Sequence, residues 1–319
     1  MEVPVNLLAE ETVFVFPGQG SQSVGMGKAL AEAFPLARET FAEADELLGF
    51  PLSRLMWEGP ESELNDTINT QPALFVHSLA VYRLFTSLYP HFRPLAMAGH
   101  SLGELSALTA AGAMRFTDGL RLARRRGELM KEAGERSPGG MAAILGLDIP
   151  LLEQICEQAS LAEETVEVAN DNCPGQVVIS GARAALERAM EAARAAGARR
   201  VIPLAVSIAA HSRLMAPAQD AFNEALHRLS ISAPQVPVIG NVQAQPLTSA
   251  AAVRADLAAQ LTHRVRWVES VRWMIQMGAR NFIEMGNGNV LAGLIRRIDS
   301  SVRTFTLSSP ADFENLAAS

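Results

Sequence analysis

Residues 96–105, AMAGHSLGEL, place a serine between two glycines, directly after an apolar run and directly before a stretch of small residues at helical spacing. Gly99 and Gly103 flank Ser101 at i−2 and i+2. A strand that turns sharply into a helix leaves no room for larger side chains at those two places, and it lifts the serine to the top of the turn. The stretch therefore predicts strand, elbow and helix, the repeating unit of an α/β fold with a parallel sheet. The helix that follows would point its first N–H groups at the serine, where they favour developing negative charge. Ser101 reads as a nucleophile, the plain alternative being a small residue in a tight turn.

Outward from the elbow the same alternation continues. TVFVFPGQGSQSVGMG (12–27) reads as a short buried strand ending in a glycine-rich loop, and a helix is expected from about Ala29 to Leu48. QPALFVHSLAVYRLF (71–85) is strongly apolar at helical spacing. From about Gly140 the texture changes. MAAILGL reads as a strand, PLLEQICEQAS as a helix, TVEVAN and QVVISG as strands, ARAALERAMEAARAAG as a helix and RRVIPLAV as a last strand. That βαββαβ order predicts a ferredoxin-like module. Mixed structure then resumes: VPVIGN and NFIEMG as strands, VRWMIQMG and VLAGLIRRI as helices. The expected architecture is a large α/β-hydrolase-like domain with a parallel sheet, residues 1–139 and 207–319, interrupted by a small α+β insertion, 140–206.

A chain of 319 residues with 49% hydrophobic content can bury a core of that size, and a formal net charge of −7 argues against general nucleic-acid binding. The arginines grouped at 194–200, 264–266 and 296–297 read as solvated faces. Cys156 and Cys173 fit neither a disulfide framework nor a zinc site, so no metal is expected. MEVPVNLLAEE lacks the charged start and apolar core of a signal peptide, and no apolar run approaches the ~18 residues needed to cross a bilayer. A cytoplasmic protein, away from membranes, is expected. With no long coiled coil or unused apolar stripe, a monomer is expected too.

A neutral serine needs a base. Of the six histidines, His100 is Ser101's neighbour and reads as support for the turn, His77 lies within an apolar helix, and His91 and His227 fall in polar contexts. His211, just after an apolar strand, and His263, in QLTHRVRW, remain as candidates. The loop PGQGSQ fits neither G-x-G-x-x-G nor a G-K-[ST] ending, so its glycines suit a backbone N–H aimed at an oxyanion better than a dinucleotide.

DGLRLARRRGELMK (118–131) holds the other anomaly. On a helical wheel Arg121, Arg124, Arg125 and Glu128 share one side, whereas Arg126 falls among Leu122, Leu129 and Met130 on the apolar face. A charge there is costly unless paired, and no acid stands at i±3 or i±4. Either a distant acid or carbonyls satisfy it, or it awaits a substrate carboxylate that a guanidinium grips bidentately.

FVFPGQGSQ, GHSLGE, RRRGELM, NDNCPGQVVISG, SIAAHS and EMGNGNVL occur in that order. Together, over Val13 to Leu307, the chain resembles the malonyl-CoA:acyl-carrier-protein transacylase family, whose members include discrete enzymes of fatty-acid synthesis and acyltransferases of polyketide synthases. The resemblance implies transfer of a malonyl group from malonyl-CoA, through an ester on Ser101, to the phosphopantetheine thiol of an acyl carrier protein, with no bound cofactor. It implies His211 as base and acid, the N–H groups of Gln19 and Leu102 as the oxyanion hole, and Arg126 on the malonyl carboxylate. It also implies a main-chain carbonyl near Arg266 orienting the histidine, and Asn170 and Asn172 lining the site. Two departures stand out. SIAA before His211 matches neither the usual bacterial pair nor the phenylalanine-containing motif of malonyl-selective polyketide domains. Asn287 replaces the family's usual proline, for which a local backbone effect is expected. The rival readings are an acyl hydrolase using the same Ser101–His211 pair, a transferase of an unusual acyl group, an ordinary esterase, and a non-catalytic docking subunit.

Overall fold

The computed structural model describes residues 7–318; residues 1–6, which open the segment read as lacking a leader, and residue 319 lie outside them. Among the described residues ten strands form two sheets: β1 Thr12–Phe16, β2 Ala96–Gly99, β3 Gly139–Leu145, β4 Val166–Cys173, β5 Gln176–Ala182, β6 Arg200–Pro203, β7 Val238–Ile239, β8 Pro246–Leu247, β9 Asn281–Met285 and β10 Arg303–Leu307. The larger sheet has the order β10-β9-β1-β2-β7-β8. Its pairs are parallel except for the β7–β8 hairpin at one edge. The smaller sheet has the order β4-β5-β3-β6 and is antiparallel throughout.

All five residues of β1 are buried, as a central parallel strand covered on both faces requires. Phe14 and Phe16 pack on one side with Phe75 and Phe85 of the Thr67–Leu88 helix. Val13 and Val15 pack on the other with Trp267 and Val271 of the Trp267–Gln276 helix. The small sheet covers its own core with the Ile149–Ala159 and Arg183–Ala195 helices, through Ile144, Leu152, Ile179 and Ala189.

The helix expected from Ala29 to Leu48 is two helices, Lys28–Ala33 and Pro35–Leu48. Pro35 has no N–H to continue the first and forces Phe34 out of the helical region (φ −126°, ψ 118°), yet it suits the first turn of the second. VPVIGN yields only the two-residue β7. Two helices without a sequence reading, Ala216–His227 and Ala250–Gln260, pack beside the elbow's side of the fold, and the second ends on a residue of the site.

Hydrogen bonds also tie the small sheet to the segment before the Trp267–Gln276 helix. Asp171 N–H donates to the Val265 carbonyl at 3.0 Å and Val265 N–H to the Ala169 carbonyl at 2.8 Å. Asn170 and Val265 thus form a parallel bridge between the end of β4 and the segment leading into the Trp267–Gln276 helix.

Candidate active site

Ser101 sits at the tip of β2 with φ 54°, a left-handed conformation that a non-glycine residue holds only when its surroundings dictate it. They do. A Cβ on Gly99 would lie 1.9 Å from the carbonyl of Gly103, and one on Gly103 2.0 Å from the carbonyl oxygen of Phe16. Asn241, at the end of β7, clamps the turn: its Oδ1 accepts from Ser101 N–H at 2.7 Å and its Nδ2 donates to the Gly99 carbonyl at 2.7 Å. The Gly103–Ala110 helix starts immediately beyond.

Between the two histidine candidates the geometry is unambiguous. Ser101 Oγ lies 2.7 Å from His211 Nε2, whereas the His263 side chain is exposed and bonds the Ala259 carbonyl. His211 does not stand at a strand end. It lies in the loop before the Arg213–Met215 turn, buried, with φ 58°. Its Nδ1 donates to the carbonyls of Gln260 at 3.0 Å and His263 at 3.1 Å. That fixes the tautomer with an acceptor at Nε2, facing the serine hydroxyl. Burial, the Arg126 charge and, weakly, His100 push the imidazole down to about 3, against the carbonyl bonds that raise it. It is therefore neutral, as a base must be.

The expectation for Arg266 is corrected here. Its carbonyl accepts from Ser270 N–H and Ser270 Oγ as part of the helix that follows, so it has no reach to His211. Gln260 and His263, at the end of the Ala250–Gln260 helix and just past it, supply the carbonyls instead.

Arg126 is 1% exposed and, among the described residues, has no carboxylate within ion-pair distance. Its Nη1 donates to Gln71 Oε1 at 2.9 Å, its Nε and Nη2 to Gln260 Oε1 at 3.2 and 3.0 Å, and its Nη2 to Ser101 Oγ at 3.1 Å. Burial lowers the guanidinium to about 10 while the nearby Glu104 raises it, which still leaves it charged. Neutral amides thus hold a cation against the Ser101 hydroxyl. Gln71 in turn donates to Thr67 Oγ1, which donates to the side chain of Gln19 at 3.1 Å.

Ser101, His211, Arg126, Gln19 and Leu102 all border one cavity of about 170 Å³. Among the described residues, the N–H groups of Gln19 and Leu102 carry no hydrogen bond within the chain. Asn170 and Asn172 border the cavity from β4, and Asn172 Oδ1 takes Nε2 of His100 at 2.8 Å, turning that imidazole away from the serine. Burial lowers His100, so it too is neutral. Asn287 reaches further than a local backbone effect: its Nδ2 donates to Ser21 O at 2.6 Å and Ser23 Oγ at 2.9 Å, on the loop that carries Gln19. No cluster of His, Cys, Asp or Glu able to hold a metal occurs among the described residues.

Gln71, Asn241 and Gln260 had no sequence reading. Each is a polar residue beside apolar ones, and only burial reveals it: Gln71 and Gln260 are 0% exposed and Asn241 3%.

The description "Acyl transferase domain" matches residues 13–305 of the chain. The malonyl CoA-acyl carrier protein transacylase of Salmonella typhimurium is 46% identical over 298 residues, 93% of this chain and 96% of the relative. The crystal structure of a malonyl-CoA:acyl carrier protein transacylase from Xanthomonas oryzae pv. oryzae superposes with a TM-score of 0.93 at 43% identity, covering 98% of this chain and 99% of that one. A malonyl-transacylase in complex with its type II PKS acyl-carrier protein gives 0.93 at 42% identity, over 97% and 99% of the two chains.

Proposed function

This chain belongs to the malonyl-CoA:acyl-carrier-protein transacylase family, and we propose that it moves the malonyl group through an ester on Ser101, with His211 as base and acid and Arg126 on the substrate carboxylate. The observation that carries this reading is the contact of 3.1 Å between a buried guanidinium, ion-paired to no carboxylate among the described residues, and the Oγ of Ser101. In a malonyl thioester one methylene separates the carboxylate from the carbon under attack. A cation touching the serine hydroxyl is matched to that short spacing, and a neutral acyl group gains nothing from it.

The steps follow from the hydrogen bonds. The malonyl carboxylate takes the guanidinium, releasing Nη2 from the serine. His211 Nε2 accepts the Oγ proton as Oγ bonds to the thioester carbon. The N–H groups of Gln19 and Leu102 hold the resulting oxyanion. The C–S bond breaks, and the imidazolium returns its proton to the CoA thiolate. The thiol of the carrier protein's phosphopantetheine arm then gives its proton to His211 and attacks the serine ester. The second tetrahedral intermediate collapses to the malonyl thioester, and Ser101 Oγ regains the proton. Thioester and serine ester are close enough in energy for the transfer to run either way. The bonds from Nδ1 to the Gln260 and His263 carbonyls do the work that a carboxylate does in a Ser-His-Asp triad.

The finer architecture is part of the same proposal. The βαββαβ order of the small sheet, with strands in the order β4-β5-β3-β6, supports a ferredoxin-like insertion over 140–206 in an α/β-hydrolase-like domain of 1–139 and 207–319. We further propose a cytoplasmic monomer that binds no cofactor of its own. Asn170 and Asn172 belong to the wall of the acyl pocket.

The deciding experiment is intact-mass analysis after mixing the protein with malonyl-CoA and then with phosphopantetheinylated carrier protein. A malonyl adduct that depends on Ser101 and passes to the carrier is expected. Loss of the adduct to water without carrier loading would make the protein an acyl hydrolase, and an adduct formed only from another acyl-CoA would replace the substrate.

A further inference from the structure

Behind Arg126 lies a second polar cluster, of which the mechanism uses only Gln260. Gln260 is its hub. Its Oε1 faces the guanidinium, so its NH₂ must face acceptors, and it does: Nε2 donates to the Ser101 carbonyl at 3.1 Å and to Glu104 Oε2. Glu104 is 0% exposed and lies one turn beyond Ser101 on the elbow helix. Asp256, 4% exposed on the Ala250–Gln260 helix, is a second buried carboxyl, and its charge raises Glu104. Asp256 Oδ1 takes Val242 N–H. That leaves Glu104 Oε1 and Asp256 Oδ2 as buried oxygens without a hydrogen-bond partner. Two buried carboxyls whose charges repel do not both stay ionised. Burial and the Asp256 charge hold the Glu104 carboxyl well above the usual carboxylate range.

We infer that Glu104 is the positioning residue that locks the Gln260 amide with its oxygen toward Arg126. An amide is nearly symmetric in shape, and nothing but its partners decides which end faces the cation. With Glu104 as acceptor the oxygen faces Arg126. Without it the NH₂ keeps only the Ser101 carbonyl as acceptor, the amide is held less firmly, and the malonyl carboxylate loses a rigidly fixed cation. The Gln260 carbonyl that holds His211 is main chain and stays put, so the effect falls on the carboxylate end more than on the serine end. This inference rests on the carboxylate role proposed for Arg126.

Glutamine reproduces a protonated glutamate: its oxygen accepts from Gln260 Nε2. Methionine fills the space and does not. Glu104→Gln is therefore expected to transfer malonyl within about threefold of the parent protein. Glu104→Met is expected to lose roughly 30-fold in kcat/KM for malonyl-CoA, the scale of a lost bond to a charged group, with a clearly smaller loss for acetyl-CoA. The malonyl-to-acetyl ratio separates this from general damage. Equal losses in Glu104→Gln and Glu104→Met would overturn the inference in favour of an ionised carboxylate serving as the guanidinium's counter-charge. An unchanged malonyl-to-acetyl ratio in Glu104→Met would overturn it too. If that variant does not fold, Gln260→Met removes the same link from the other side, and the same ratio must fall there. The parent protein and Arg126→Ala run alongside: a parent that takes no malonyl, or an Arg126→Ala variant with an unchanged ratio, sinks the underlying function and not the role of Glu104.

Discussion

At the elbow, the backbone itself makes the site. Gly99, Gly103 and the Phe16 carbonyl are in mutual contact, and Ser101 is held at φ 54° by the turn they enclose. Across the same cavity the four-stranded sheet contributes Met141, Asn170, Asn172 and Val178. The one surface cannot change without changing the fold, whereas the other can change a residue at a time. On the proposed reading, the reacting hydroxyl sits where the chain has no freedom, and part of the pocket wall where it has some.

The strongest test of that contrast is Ser101→Ala, for which the malonyl adduct is expected to vanish and transfer to fall by at least ~10⁴-fold. Gly103→Ala probes the backbone side without touching a reacting group. The added carbon would lie 2.0 Å from Phe16 O, so loss of the fold, or of more than about 4 kcal/mol in a denaturant melt, is expected. A folded, active Gly103→Ala protein would break the comparison outright. Arg126→Ala should cost malonyl transfer ~10² to 10³-fold and acetyl transfer much less, read as two kcat/KM values from one preparation.

A smaller effect is read from pH. Because His211 is held down to about 3, the base stays neutral as pH falls. The acylation rate should therefore remain level from pH 7.5 to 5.5, where an imidazole of ordinary pKa would lose about tenfold. Stability runs the other way. The unfolded chain takes up a proton on this imidazole near pH 6.5 and the folded one does not, so its contribution to stability is full above that value and declines as pH drops toward about 3. A rate that falls with an apparent pKa near 6.5 would mean that the imidazole is far less buried than the structure has it.

The smallest effect belongs to the side-chain wall. Val178→Ala should leave malonyl transfer nearly intact and raise acceptance of methylmalonyl-CoA by roughly fivefold, on the scale of one or two methyl groups. A loss rivalling that of Arg126→Ala would show that the small sheet shapes the reaction and not only the pocket.

What the chain declares in advance follows the same division. The elbow was legible because two glycines two residues from a serine have a steric meaning, and Arg126 because a helical wheel sets it on an apolar face. The alternation of strands and helices around the insertion was legible from periodicity, except where Pro35 breaks one helix into two. Gln260 was not legible. It is one polar residue in LAAQLTH, and its importance comes from three partners 156, 159 and 134 residues away along the chain. The misplacement of the orienting carbonyl at Arg266 has the same origin: any residue has a carbonyl, and only the fold decides which one is not already spent inside a helix.

The bridge between Asn170 and Val265 lies two residues from the His263 carbonyl that holds His211. Residues 260–265 therefore serve both halves at once, steadying the base with two carbonyls and the edge of the small sheet with a third. For anyone exchanging acyl pockets between relatives, the transplantable piece is not the stretch between the two chain crossings. It is that stretch together with 260–265, because a donor pocket seated on a foreign splice would arrive in register with its own sheet and out of register with the histidine.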